Sequence, residues 1–112
     1  MNSLQKSKII TFIGFSIKAR KVKFGVNAVK TLKGNVPLLI ICHTASKNTV
    51  DECVGIAKKM SAKLIVSCAY PLEEVVSKPN CKLIAVTDVN LAKAVLDNLD
   101  SCFTEYSGGY DN

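Results

Sequence analysis

Three stretches of strand length carry apolar side chains almost without interruption: Pro37-Leu38-Leu39-Ile40-Ile41-Cys42, Leu64-Ile65-Val66 and Leu83-Ile84-Ala85-Val86. A strand with one face in water alternates polar and apolar residues, so an unbroken run predicts a strand covered on both faces. Between these runs the spacing becomes helical. Val50, Cys53, Val54, Ala57 and Met60 form a stripe behind a cap at Thr44 or Ser46, with Asp51 and Glu52 in the first turns, where the helix dipole favours anions. A shorter helix holding Leu72, Val75 and Val76 stops at Pro79-Asn80, and a last helix capped by Asp88 or Asn90 carries Leu91, Val95, Leu96 and Leu99. Such alternation predicts an α/β fold with a mostly parallel sheet and helices on both of its faces.

The segment before the first run adds smaller elements. Ser3 can cap a helix on which Leu4, Ile10, Ile13 and Ile17 recur, and Lys21-Val22-Lys23-Phe24 alternates like a short half-buried strand. After Gly25, the residues Val26, Val29 and Leu32 suit a brief helix that Gly34 can end. With 112 residues, 48% of them apolar, the chain has material for one packed domain, expected over residues 1–100. Residues 101–112, which include Ser107-Gly108-Gly109, read as a weakly ordered tail. No stretch reaches the roughly 18–20 apolar residues of a membrane span. Lysines at 6 and 8 break up the N-terminal apolar residues, which does not suit a secretory leader; the cysteines, mostly inside apolar runs, make a reducing cytoplasm the expected location.

Charge is distributed unevenly. Residues 1–50 carry nine Lys or Arg and no acid, whereas residues 51–112 carry six against nine acids, within a formal net charge of +6. This asymmetry is the usual footprint of a polyanion binder, or else of a solvated basic face. The basic residues concentrate in Lys18-Ala19-Arg20-Lys21-Val22-Lys23-Phe24, directly before Gly25. A glycine can hold positive φ and bring backbone close to a ligand, and the helix it opens starts with unpaired amides. Loops at the carboxyl ends of parallel strands, here residues 42–46, 67–71 and 87–89, are where ligands of such sheets bind. If the Gly25 helix start lies beside the first two, the basic segment completes one surface.

The five cysteines, Cys42, Cys53, Cys68, Cys81 and Cys102, include no Cys-x-x-Cys pair, and His43 is the one histidine. No metal set can be assembled at ligand spacing, and thiols inside apolar runs behave as small hydrophobes. A thiol enzyme would need an activated cysteine, for which Cys42 beside His43 and Cys68 in a loop are the candidates. No catalytic residue, metal or cofactor is expected.

Several strings, in order, resemble the ribosomal L-seven-Ae / L-thirty-e family, in particular its small bacterial YlxQ-like branch. They are Gly14-Phe15-Ser16-Ile17-Lys18-Ala19-Arg20-Lys21, then Gly25 eleven residues after Gly14, then Ala45-Ser46-Lys47-Asn48-Thr49, then Ala85-Val86-Thr87-Asp88 with Leu91-Ala92-Lys93. The resemblance implies a three-layer α-β-α sandwich with a four-stranded mixed sheet, no enzymatic activity, and binding to kink-turn RNA through its tandem sheared G·A pairs. It also implies ribosomal or other ribonucleoprotein partners in translation and no DNA specificity; a monomer is the default expectation, because the sequence shows no exposed apolar stripe. The family's groove-reading helix start corresponds to Gly25, Asn27 and Ala28, its phosphate-contacting lysine to Lys30 or Lys33, and its nucleotide-covering loop to about Ser67-Cys68-Ala69-Tyr70; Val26 joins the helix start in the RNA-binding set. Lys18, Arg20, Lys21 and Lys23 complete the RNA-binding set.

Some positions depart from the family pattern. Ala28 replaces an acidic or amide residue, His43-Thr44 replaces a pair of acids, Leu72-Glu73 replaces Leu-Gly, and Ser77 replaces a glycine. These departures leave a second expectation open: an interaction module of the same fold without specific RNA readout.

Overall fold

The computed structural model describes residues 7–106, so the expected cap at Ser3 and the residue Leu4 lie outside the described residues. The cap of the first helix is Ser7, whose Oγ accepts from the Ile9 amide at 3.2 Å and donates to Asp100 at 3.0 Å. From it runs α1 (Lys8–Lys18), followed by β1 (Val22–Phe24), α2 (Val26–Lys30), β2 (Leu38–Cys42) and α3 (Lys47–Met60). The chain then forms β3 (Lys63–Ser67), α4 (Leu72–Val76), β4 (Leu83–Val86), α5 (Val89–Leu96) and β5 (Phe103–Glu105). Of the alternative caps, Ser46 accepts from Thr49 and Asp88 from Asn90. The last helix stops at Leu96, so Leu99 lies beyond it and is partly exposed.

Among the described residues, the strands form one five-stranded sheet in the order β1-β4-β2-β3-β5. Two expectations are corrected here. The sheet has five strands rather than four, and it is mostly antiparallel: β2 and β3 are its one parallel pair. Unbroken apolar runs mark burial on both faces, and burial carries no information about strand direction. The fifth strand replaces part of the expected tail. Phe103 is fully buried, and Ser67 pairs with it across the β3–β5 ladder. The Asp100 carboxylate accepts from the amides of Cys102 and Phe103, turning the chain into β5. Residues 107–112 of the expected tail lie outside the described residues.

The two faces of the sheet feed two separate clusters. Leu38, Ile40, Cys42, Ile65, Ile84, Val86 and Phe103 pack with α1, α4 and α5, whereas Leu39, Ile41, Leu64, Leu83 and Ala85 pack with α2 and α3. Period-two alternation along each strand supplies both sets. No helix among the described residues is long and apolar enough to cross a membrane.

Candidate nucleic-acid interface

Strand direction decides which loops meet. Because β4 runs against both β1 and β2, its start lies beside their ends: Phe24 opposes Ile84 and Ile41 opposes Leu83. The Gly25 amide donates to the Leu83 carbonyl at 2.7 Å, and the Cys42 amide donates to the Lys82 carbonyl at 2.8 Å. The end of β3 joins them, since the His43 amide donates to the Ser67 carbonyl at 3.3 Å. One end of the sheet therefore gathers Gly25, Lys82, residues 43–46 and residues 67–71. Residues 87–89 are at the other end, a correction to their placement beside the first two loops. There the Thr87 amide and hydroxyl both donate to the Lys21 carbonyl, at 2.8 and 3.1 Å.

Gly25 has φ 89° and ψ 155°, a backbone conformation that strains any L side chain. It lets β1 turn directly into α2 while its carbonyl accepts from the Val29 amide at 3.0 Å. Val29 is fully buried and Val26 packs beside it, which leaves Asn27 exposed on the outer side of the helix start. Val22 and Phe24 pack into the α1 layer, so the intervening Lys23 points to the face that α2 covers. Lys23 and Asn27 thus present a cation and an amide on one side of the molecule.

Next to this helix start lies a small polar network. Lys82 Nζ donates to Glu73 Oε2 at 2.6 Å and to Thr44 Oγ1 at 2.8 Å. Cys42 Sγ lies 3.0 Å from Thr44 Oγ1 and accepts from the Leu72 amide at 3.2 Å, which seats the start of α4 on the end of β2. The hydrogen bond from Lys82 holds the Glu73 carboxyl below the ordinary carboxylate value, and its partner Lys82 is raised in turn. Glu73, a departure from the family pattern, therefore carries a charge that is already compensated. His43 Nδ1 lies 2.8 Å from the Ser67 carbonyl. A carbonyl can only accept, so Nδ1 holds the proton and the ring secures the loop. Ser67 Oγ donates to the Tyr70 carbonyl, and the Cys68 amide donates to the Cys102 carbonyl at 2.7 Å.

The residues singled out in the sequence are only partly brought together. Gly25, Val26, Asn27, Cys68, Ala69 and Tyr70 lie along one sheet end, though three strand spacings, about 14 Å, separate β1 from β3. Cys68 and Ala69 are exposed; Tyr70 packs half-buried against the α1 layer. The basic run does not form one patch. Lys21 stands four residues before Gly25 along an extended strand, about 13 Å away, with Lys18 and Arg20 beyond it. Lys30 pairs with Glu52, and Lys33 follows in the turn after α2.

Two cations were missed in the sequence. Lys82 sits immediately before a buried run, and Lys78 Nζ lies 4.7 Å from the centre of the Phe24 ring, close to Gly25. Finding them required knowing that β4 begins where β1 ends. Cys42 and Cys53 are buried, and burial with the nearby Glu52 raises the Cys53 thiol to about 11. Among the described residues, no group of three His, Cys, Asp or Glu could hold a metal ion.

No protein-family model matches this chain, and no curated protein matches it significantly. A solved structure does, described as a protein with unknown function from Bacillus halodurans C; it is 19% identical, with a TM-score of 0.66 over 82% of this chain and 96% of that one. At this identity the likeness concerns the fold, and the chain is an α/β protein whose mixed sheet is covered by helices on both faces.

Proposed function

We propose that this chain is a non-enzymatic, cytoplasmic RNA-binding protein of the L-thirty-e-like type, which engages structured RNA at the sheet end marked by Gly25. The observation that carries the reading is the exposed Asn27 on a helix start fixed by the Gly25–Leu83 hydrogen bond, with Lys23 on the same side. An Asn amide can donate to and accept from a base edge, while lysines neutralise phosphates and release counterions. Kink-turn RNA is the proposed ligand class, with Cys68, Ala69 and Tyr70 approaching the same RNA from the far side of the sheet end. Glu73, which lies beside that approach, is paired with Lys82 rather than left as a free negative charge.

The test compares binding to a kinked RNA with tandem G·A pairs and to a matched Watson–Crick duplex at one salt concentration. Asn27→Ala should cost about 1–3 kcal/mol on the kinked RNA and little on the duplex. Lys23→Glu should weaken both RNAs and lower the salt slope, whereas Lys21→Glu, at the other end of β1, should do less. Equal binding to both RNAs, unchanged by Asn27→Ala, would refute base readout. Undetectable binding to either would leave the interaction module of the same fold as the reading.

A further inference from the structure

Beyond the far end of α2, the turn 31–35 and the outer side of α3 enclose an open groove of about 910 Å³. Its floor is apolar: Leu32 is half-buried there, and the core residues Ile56 and Met60 each show only a narrow edge, 8% and 4% exposed. At one place Lys30 and Glu52 pair across it and cancel each other's charge. Lys33 from the turn and Lys59 from α3 line the rest, and neither pairs with an acid among the described residues. The groove thus combines an apolar floor with two uncompensated positive charges.

Gly55, in the middle of α3, forms part of the wall. Neither backbone nor packing requires a glycine there: its φ is not positive, and a Cβ would meet nothing within 4 Å. A glycine in a helix interior costs about 0.5–1 kcal/mol relative to alanine. The residue that weakens α3 is therefore one that leaves the groove open. Among the described residues, no aromatic side chain lines it, so they offer a nucleic-acid base no stacking platform there. A cavity of this size with an aliphatic floor instead suits an apolar anchor, and the lysines select the charge of whatever carries that anchor.

We propose that this groove docks an acidic segment of a partner protein, which lays an aliphatic side chain on Leu32 and the exposed edges of Ile56 and Met60 and sets its carboxylates against Lys33 and Lys59. The site lies at the opposite end of α2 from Gly25 and does not depend on the RNA reading.

The probe is a capped peptide, Asp-Glu-Leu-Leu-Glu-Asp, titrated into isotope-labelled protein at low salt while backbone amide shifts are followed. Two control peptides carry serines for the leucines or amides for the carboxylates. The expected result is saturable shifts confined to residues 32–35 and 55–60, with affinity reduced at least roughly fivefold in either control. Gly55→Leu should fill the groove and abolish binding while thermal unfolding shows the fold intact. Should that variant fail to fold, Lys33→Ser with Lys59→Ser provides the same test from the surface and should weaken binding by at least roughly tenfold. Three results would overturn the proposal: no shift at about 1 mM peptide, equal binding of the serine peptide, or equal shifts from a plain RNA duplex, which would reassign the lysines to phosphate.

Discussion

The two helical layers finish the same sheet to different degrees. On one face α1, α4 and α5 close over Leu38, Ile40, Ile65, Ile84 and Phe103, with Ile9, Ile13, Leu72 and Val95 completing the cluster. On the other, α3 does most of the covering, and α2 contributes five residues of which one, Val29, is buried. A single helical turn is not stable alone in water. It persists because the Gly25 amide ties its start to Leu83 and because Val29 anchors its inner side. The complete layer supplies stability. The incomplete one leaves an exposed amide at one end of α2 and an unfilled groove at the other, so both candidate binding features belong to the layer with less helix to cover it.

This contrast can be broken most directly at Phe103. Its truncation to alanine should cost about 3–5 kcal/mol in chemical denaturation; a loss below about 1 kcal/mol would return residues 103–105 to the tail expected from sequence. On the sparser face, Val29→Ala should cost about 2 kcal/mol, and hydrogen exchange should show the amides around α2 losing protection before those of α1. Uniform loss across the molecule would mean that the layers do not differ. Smaller effects should favour stability. Gly55→Ala should raise it by about 0.5–1 kcal/mol, and Ser77→Gly by a few tenths of a kcal/mol, because Ser77 ends α4 with φ 58°. Calorimetry on each variant checks the sign.

The smallest effect concerns pH. The folded Glu73 carboxyl is held below its ordinary value, so its contribution is present above that value and is lost as pH falls through the lowered one. Glu73→Gln should therefore flatten the acid side of the stability profile and leave its neutral side level. An unchanged acid limb would mean that Lys82 does not bind this carboxylate in solution.

Much of the fold was legible because burial on both faces leaves an unmistakable pattern. The runs at 38–42, 64–66 and 83–86 needed no partner to be read as strands, and Ser46 and Asp88 announced helix starts through side chains that accept from nearby amides. Direction was not legible, since a buried strand has the same composition whichever way it points. From that gap came the expected parallel sheet, the misplacement of residues 87–89 and the omission of Lys82. The basic run misled for a related reason: in extended chain, neighbours in sequence move apart by about 3.3 Å per residue, so Lys21 and Gly25 serve opposite ends. β5 was hidden by its length, since three residues with one buried side chain make no periodic signal.

The position of β5 also bears on synthesis. Until Phe103 has been made, β3 presents its outer backbone as an open edge next to Leu64, Ile65 and Val66, a template on which another unfinished chain can pair. The growing chain must keep that edge unoccupied while the residues between Ser67 and Phe103 are made, and β5 then seals it. A chain cut short before Phe103 would keep α1 to α5 and β1 to β4, yet remain adhesive toward copies of itself.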